Sequence, residues 1–239
     1  MEPYVDFQIK GRYAEIEFYH PEHNSMNLDL LKKLKDDINE LSENNDINSI
    51  ILKSFGDRTF CAGANLNEFK NLKNIDESKD FFSGFGNVIL AMKESPKLII
   101  GRIQGKAVGG GVGLLAACDI AFGTAYSSIR LSELSIGIGP FVIAEAVIRK
   151  TGLAAFSDMT LNPQKWKDAK WAKIHGLYSE IFDDVESLDD NLYKYITGIS
   201  SYSTEAIEGN KRLLWQGTEH WQSLMEKRAE ISGRLVLKK

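Results

Sequence analysis

Three stretches of this sequence carry residue types whose spacing could do chemistry. The first is Gly109-Gly110-Gly111-Val112-Gly113, which runs into Leu114, Leu115, Ala116 and Ala117. Consecutive glycines let backbone N–H groups approach a ligand with no Cβ in the way. A helix starting there adds free N–H groups and a dipole that favours negative charge. The pattern suits an oxyanion or a phosphate, and a closely packed tight turn is the plain alternative. The second stretch is Phe60-Cys61-Ala62-Gly63-Ala64-Asn65-Leu66, whose small residues could again turn backbone donors toward a ligand or simply form a loop. The third is Glu133, set among Leu131, Leu134, Ile136 and Ile138. A carboxylate in such company is partly desolvated, which raises its pKa toward the range useful for general acid/base work. A salt-bridged or solvent-facing glutamate is the alternative.

Other chemistries find little support. The segment Gly111 to Ala116 fits the dinucleotide pattern G-x-G-x-x-G/A, with Glu133 downstream. However, Gly105 and Lys106 separate it from the preceding apolar strand, and the next strand-like run is Ile120 to Phe122 rather than one ending at the acidic residue. The four histidines, His20, His23, His175 and His220, show no metal-ligand spacing, and Cys61 and Cys118 belong to no C-x-x-C pair, so no metal site is expected. There is no G-x-S-x-G nucleophile elbow.

The chain has 239 residues, 29 Lys+Arg against 33 Asp+Glu, and a formal net charge of −4. Its hydrophobic share of 43% and charged share of 26% are those of ordinary globular chains, which argues against disorder, collagen and coiled coil. The slight acidity offers no footprint for nucleic acid. Two cysteines cannot make a disulfide framework, so a reducing, cytoplasmic setting is expected. No apolar h-region opens the sequence and no uncharged apolar run reaches ~20 residues, so neither a signal peptide nor a membrane partner is expected.

The elements that must position these residues follow from periodicity. Val5, Phe7, Ile9 and then Ala14, Ile16, Phe18 alternate as two strands about Gly11-Arg12. Asn27 is placed to cap a helix whose apolar face is Leu30, Leu31, Leu34, Ile38 and Leu41. Buried strands are expected at 50–52 and 98–103, further strands at 120–122 and 129–131, and a loop at 55–63. Helices are expected at 66–72, 81–93 and 163–176, with Gly176 as a C-terminal stop, and through most of 189–239. Trp215 and Trp221 either form a contact surface or plug the core. Alternating strands and helices indicate an α/β class with a helical C-terminal segment.

Taken together and in order, these stretches carry a resemblance. Phe60–Leu66, Ile103–Asp119 and Leu131–Pro140, supported by Glu15–Met26 and Ala172–Glu180, are similar to the crotonase superfamily, the enoyl-CoA hydratase/isomerase family. The resemblance spans nearly the whole chain. It implies a crotonase-like spiral of ββα units over residues 1–190 and a helical trimerisation segment over 191–239. It further implies homotrimers, or hexamers built as dimers of trimers. The implied substrates are acyl-CoA thioesters, with coenzyme A as part of the substrate and no separate cofactor or metal.

Residue by residue, the resemblance assigns the oxyanion-binding N–H groups to Ala64 and Gly110 and a catalytic glutamate to Glu133. It assigns substrate or coenzyme A contacts to Asn24, Met26, Ala62, Asn65, Leu66 and Gly109. The hydratases' second glutamate would fall at Gly113. Moving a double bond needs only one base, so the departure favours a double-bond isomerase. The alternatives are an enoyl-CoA hydratase of fatty-acid or branched-chain breakdown, or a catalytically weak coenzyme A-binding scaffold. Glu145 is the residue to check as a second acid, an exposed or capping role being its alternative. Phe141–Glu145 replaces a glycine-rich run beside the acyl pocket, so an unusual acyl group is expected. Lys211 and Arg212 either meet coenzyme A phosphates or form a solvated helix face. The tail Leu237-Lys238-Lys239 is expected to stop short of the family's last helix.

Overall fold

A computed structural model describes residues 1–238, and Lys239 lies outside them. The hairpin is as expected: β1 (Tyr4–Lys10) and β2 (Tyr13–Tyr19) pair antiparallel, Val5 opposite Phe18. Helix α1 (Leu28–Glu43) is capped by Asn27, whose side chain accepts from Leu30 N at 2.9 Å. The chain then repeats one unit. A strand enters a large sheet, a short strand enters a small sheet, and a helix returns. The first unit is β3 (Ser49–Ser54), β4 (Thr59–Cys61), the short α2 (Leu66–Lys70) and α3 (Ile75–Glu94). The second is β5 (Leu98–Ile103), β6 (Lys106–Val108) and α4 (Gly110–Ala117). The third is β7 (Ile120–Thr124), β8 (Ser128–Arg130) and α5 (Ala144–Leu161), bent at Gly152. This is the spiral of ββα units that the resemblance implied.

After α5 come β9 (Lys167–Asp168), α6 (Ala169–Ile174), β10 (Glu180–Phe182) and the helices α7 (Val185–Ser200), α8 (Thr204–Leu214) and α9 (Trp221–Val236). The large sheet has the order β1-β2-β3-β5-β7-β10 and the small one β4-β6-β8-β9. Helix α7 runs across residues 190 and 191 and packs Leu188, Leu192 and Ile196 against Ile51, Ile100 and Phe122 of the large sheet. Trp215 and Trp221 meet edge to face with centroids 5.6 Å apart inside the main core, the second of the two roles open to them.

Several expectations are corrected. The loop expected at 55–63 contains β4, and β6 follows directly on β5. Helix α3 begins six residues before Phe81, because Asn74 accepts from Glu77 N at 2.9 Å and holds a polar first turn in place. No helix starts at Pro163. Instead, Lys167 and Asp168 pair with β8, and Asp168 accepts from Trp171 N at 2.7 Å to start α6. Gly176, at φ +78°, does end that helix.

Lys211 is not available to phosphates. It is buried, its Nζ donating to Met92 O at 2.8 Å and Lys97 O at 2.5 Å and lying 3.1 Å from Asp119 Oδ2. Asp119 also accepts from Trp215 Nε1 at 2.6 Å and Ile99 N at 2.7 Å, so one carboxylate ties α8 to β5 and to the end of α4. Removing one partner of such a pair strands a buried charge. Lys211→Met should lower the unfolding free energy by about 3–5 kcal/mol in urea titrations, and a loss under about 1 kcal/mol would show the pair to be dispensable.

Candidate active site

The small sheet explains why the three stretches converge. Strands β4, β6 and β8 are parallel neighbours, with Cys61 opposite Ala107 and Val108 opposite Arg130. Each stretch leaves the C-terminal end of one of these strands, so all three open on the same edge. Ligand sites of parallel sheets lie outside the carboxyl ends of their strands. Here the loops line one pocket of about 640 Å3, counting the solvent at its mouth. Ala62, Gly63 and Ala64 come from the first loop, Gly109 and Gly110 from the second, and Ser132 and Glu133 from the third.

The loops approach at backbone distance. Gly63 has φ +85°, and a Cβ there would sit 2.7 Å from Val108 O and 3.2 Å from Gly110 N. Gly109 has φ +53°, and its absent Cβ leaves room for Glu133 Oε1, which would be 3.0 Å away. Gly109 N donates to Arg130 O at 2.9 Å, which holds the turn into α4. The N–H groups of Ala64 and Gly110 donate to no acceptor among the described residues. Gly110 is the first residue of α4, where free N–H groups and the helix dipole favour an anion.

Glu133 opens a 3-10 turn, Glu133–Ile136, closed by Gly137 in the left-handed region. Its Oε2 is buried without a hydrogen-bond partner. Burial pushes its pKa up to about 7, against the opposing backbone N–H groups of Glu133 and Ser132. It is the single titratable side chain among the described residues lining the pocket. The remaining wall is mostly apolar: Phe69, Phe82 and Phe85, Ile136, the segment Ile138 to Ile143, part of which the resemblance placed beside the acyl pocket, and Ser232 from α9. Position 113 is closed to a larger side chain, since a Cβ on Gly113 would lie 2.4 Å from Ile143 Cγ2 and 2.7 Å from its Cβ.

Of the remaining expected residues, Ala62 and Gly109 line the pocket and Leu66 borders it, half-exposed. Asn24, Met26 and Asn65 are buried outside it. Asn24, at φ +55°, donates through Nδ2 to Phe55 O and Thr59 O at 2.9 and 2.8 Å and accepts from His20 N. Met26 N donates to Gly63 O at 2.8 Å, and Asn65 N to Met26 O at 2.9 Å. The Asn65 side chain caps α2 and donates to Glu22 and Ser25. These three brace the loop that carries Ala64. Glu145 is not in the pocket either, because its carboxylate pairs with Arg228 at 2.7 Å. On the far side of Ala62 lies a polar groove with His23, Arg58 and Lys106. No group of residues among those described could hold a metal ion, and no described helix is long and apolar enough to cross a membrane.

Known proteins resemble this chain along most of its length. The family model for enoyl-CoA hydratase/isomerase matches residues 8–230. The chain is 26% identical to the peroxisomal Delta(3,5)-Delta(2,4)-dienoyl-CoA isomerase of Arabidopsis thaliana, over 92% of this chain and 84% of that one. It is 26% identical to the short-chain-enoyl-CoA hydratase of Clostridium acetobutylicum, over 90% and 82%. A solved enoyl-CoA hydratase from Bacillus halodurans has the same fold, with a TM-score of 0.90 at 23% identity over 98% of this chain and 95% of that one.

The raised pKa of Glu133 carries a stability cost with a definite sign. The unfolded chain releases this proton near 4.5 and the folded chain near 7, so stability falls as pH rises between those values and is lower by a constant amount above them. Glu133→Gln removes that cost. The variant should match the parent below pH ~4 and exceed it by up to roughly 3 kcal/mol above pH ~7, read from thermal unfolding across pH. An equal effect at all pH values would mean that Glu133 is not desolvated.

Proposed function

The chain belongs to the enoyl-CoA hydratase/isomerase family, and from that premise we propose that it moves the double bond of a 3-enoyl-CoA thioester to the 2-position with Glu133 as its one base. The observation that carries this reading is the single carboxylate of the pocket, together with Ile143 filling the space beside Gly113 where a second glutamate would need to stand. Hydration asks for two groups to hold a water and move its protons. Isomerisation asks one group to take a proton from C2 and return it at C4.

The steps balance without any co-reactant. Glu133 as carboxylate takes the C2 proton, and the electron pair passes into the thioester oxygen as a dienolate. The N–H groups of Ala64 and Gly110 stabilise that oxyanion, and the dipole of α4 adds to them. Glu133, now protonated, gives its proton to C4, and the double bond re-forms between C2 and C3. A pKa near 7 suits both halves of this exchange. The groove with Arg58 and Lys106, which Asp57 also lines, supplies positive charge for the coenzyme A phosphates. Exposed Ile174, Leu213 and Leu214 supply apolar surface for a homotrimer or a pair of trimers. The two free, buried cysteines fit a reducing compartment such as the cytoplasm.

The test incubates purified protein with 2-enoyl- and 3-enoyl-CoA esters and reads products by mass spectrometry. The expected result is conversion of a 3-enoyl ester at unchanged mass. In Glu133→Gln, kcat/KM should fall by about 10²–10⁴. In the parent it should climb with pH and level off above about 7, as the base loses its proton. Gain of one water on a 2-enoyl ester would overturn this in favour of a hydratase, and binding without turnover would favour a scaffold.

A further inference from the structure

The pocket has two kinds of lining. Backbone and one carboxylate come from the three loops. Phe69, Phe82, Ile138 and Val142 line it as well, with Ser232 of helix α9 beside them. Helix α9 reaches this place through small residues. Ala229 joins the apolar cluster of Phe82, Ile138 and Val142. A Cβ on Gly233 would lie 3.1 Å from Ser78 Cβ, so the helix lies close against α3. Arg228 clamps the helix to the pocket wall, with Nη2 2.7 Å from Glu145 Oε1 and Nη1 donating to Phe141 O at 3.2 Å.

Ser232 is the residue that α9 presents to the cavity. It is 1% exposed, and its Oγ donates to Arg228 O at 3.0 Å, so the hydroxyl is bound back to its own helix. Its side chain is small where the neighbouring wall is aromatic or branched. A long unbranched hydrocarbon fits an apolar wall of this kind, with no polar group required of it.

We infer that Ser232 is the specificity-determining residue that sets how long an acyl chain the pocket accepts, because its small side chain leaves the tail end of the cavity open against α9. The inference rests on the acyl-CoA reading given above. Enlarging residue 232 fills the space that the last methylenes would occupy. One methylene in an apolar pocket is worth about 10-fold or more in discrimination.

The test compares the parent with Ser232→Leu and with Ser232→Thr, which adds one methyl and keeps the hydroxyl. The readout is the ratio of kcat/KM for 3-hexenoyl-CoA over 3-decenoyl-CoA. Calorimetric Kd values for saturated hexanoyl-CoA and decanoyl-CoA are measured alongside. The leucine variant should raise the short-over-long ratio about tenfold or more, and the threonine variant should raise it less in the same direction. A residue with only a structural role would lower both esters together, and an unchanged ratio in the folded threonine variant overturns the inference. The binding ratio decides the matter even for a protein that turns over neither ester. A shifted binding ratio without turnover would sink the isomerase reading and leave the chain-length role standing. An unchanged ratio with turnover would do the reverse.

Discussion

The parallel pairing of β4, β6 and β8 is the constraint on which the site depends. None of these strands exceeds three residues, so none is stable by itself. Their register is imposed by the large sheet, where β3, β5 and β7 run side by side and deliver each short strand next to its neighbour. Once Cys61 faces Ala107 and Val108 faces Arg130, the next residues of all three chains emerge together. Gly63 then has to pass within contact of Val108 O, and Gly109 has to leave room for the Glu133 carboxylate. The glycines are required by that crowding before they serve any chemistry.

Glu133 is held in a state that folding alone would not select. Its Oε2 is buried without a partner in a pocket that offers it no cation. The same desolvation that costs stability brings the carboxyl into the range where it can both take and return a proton near neutrality. The nearby scaffold bears that cost through satisfied contacts. Asn24, Met26 and Asn65 lock the first loop from behind with a dense set of hydrogen bonds. A polar brace of this kind fixes the position of the Ala64 backbone without exposing any of its own groups to the pocket.

The sequence made the loops legible and hid two of the three short strands that aim them. Gly109–Gly113 and Phe60–Leu66 stand out because small residues cluster there, and Glu133 stands out against its apolar neighbours. β4 and β6 are too short for a period of two to register, so their segments looked like loop. The resemblance assigned ligand contacts to Asn24 and Asn65, and in the fold both side chains are hydrogen-bonded to groups behind the first loop. Lys211 resembled a solvated cation because helix periodicity cannot show that Asp119, far away in the chain, waits beneath it. Glu145 was open to either role until Arg228 was seen to hold it. In each case the deciding contact is long-range, which residue type and local spacing do not encode.

Under the proposed function, the same division separates catalysis from specificity along the chain. The backbone donors and the carboxylate come from residues between Ala62 and Glu133, joined by strand pairing within the small sheet. The pocket wall also includes Ser232, brought in by a helix whose docking depends on Ala229, Gly233 and the Arg228 clamp. Backbone N–H groups and a glycine-framed carboxylate tolerate little change, since a side chain added at Gly63 or Gly109 meets neighbouring atoms within 3.0 Å. The α9 wall is made of side chains packed on side chains, which can be resized one methyl at a time. Under the proposed function, such a fold keeps one proton-transfer geometry while its pocket is reshaped from a helix late in the chain.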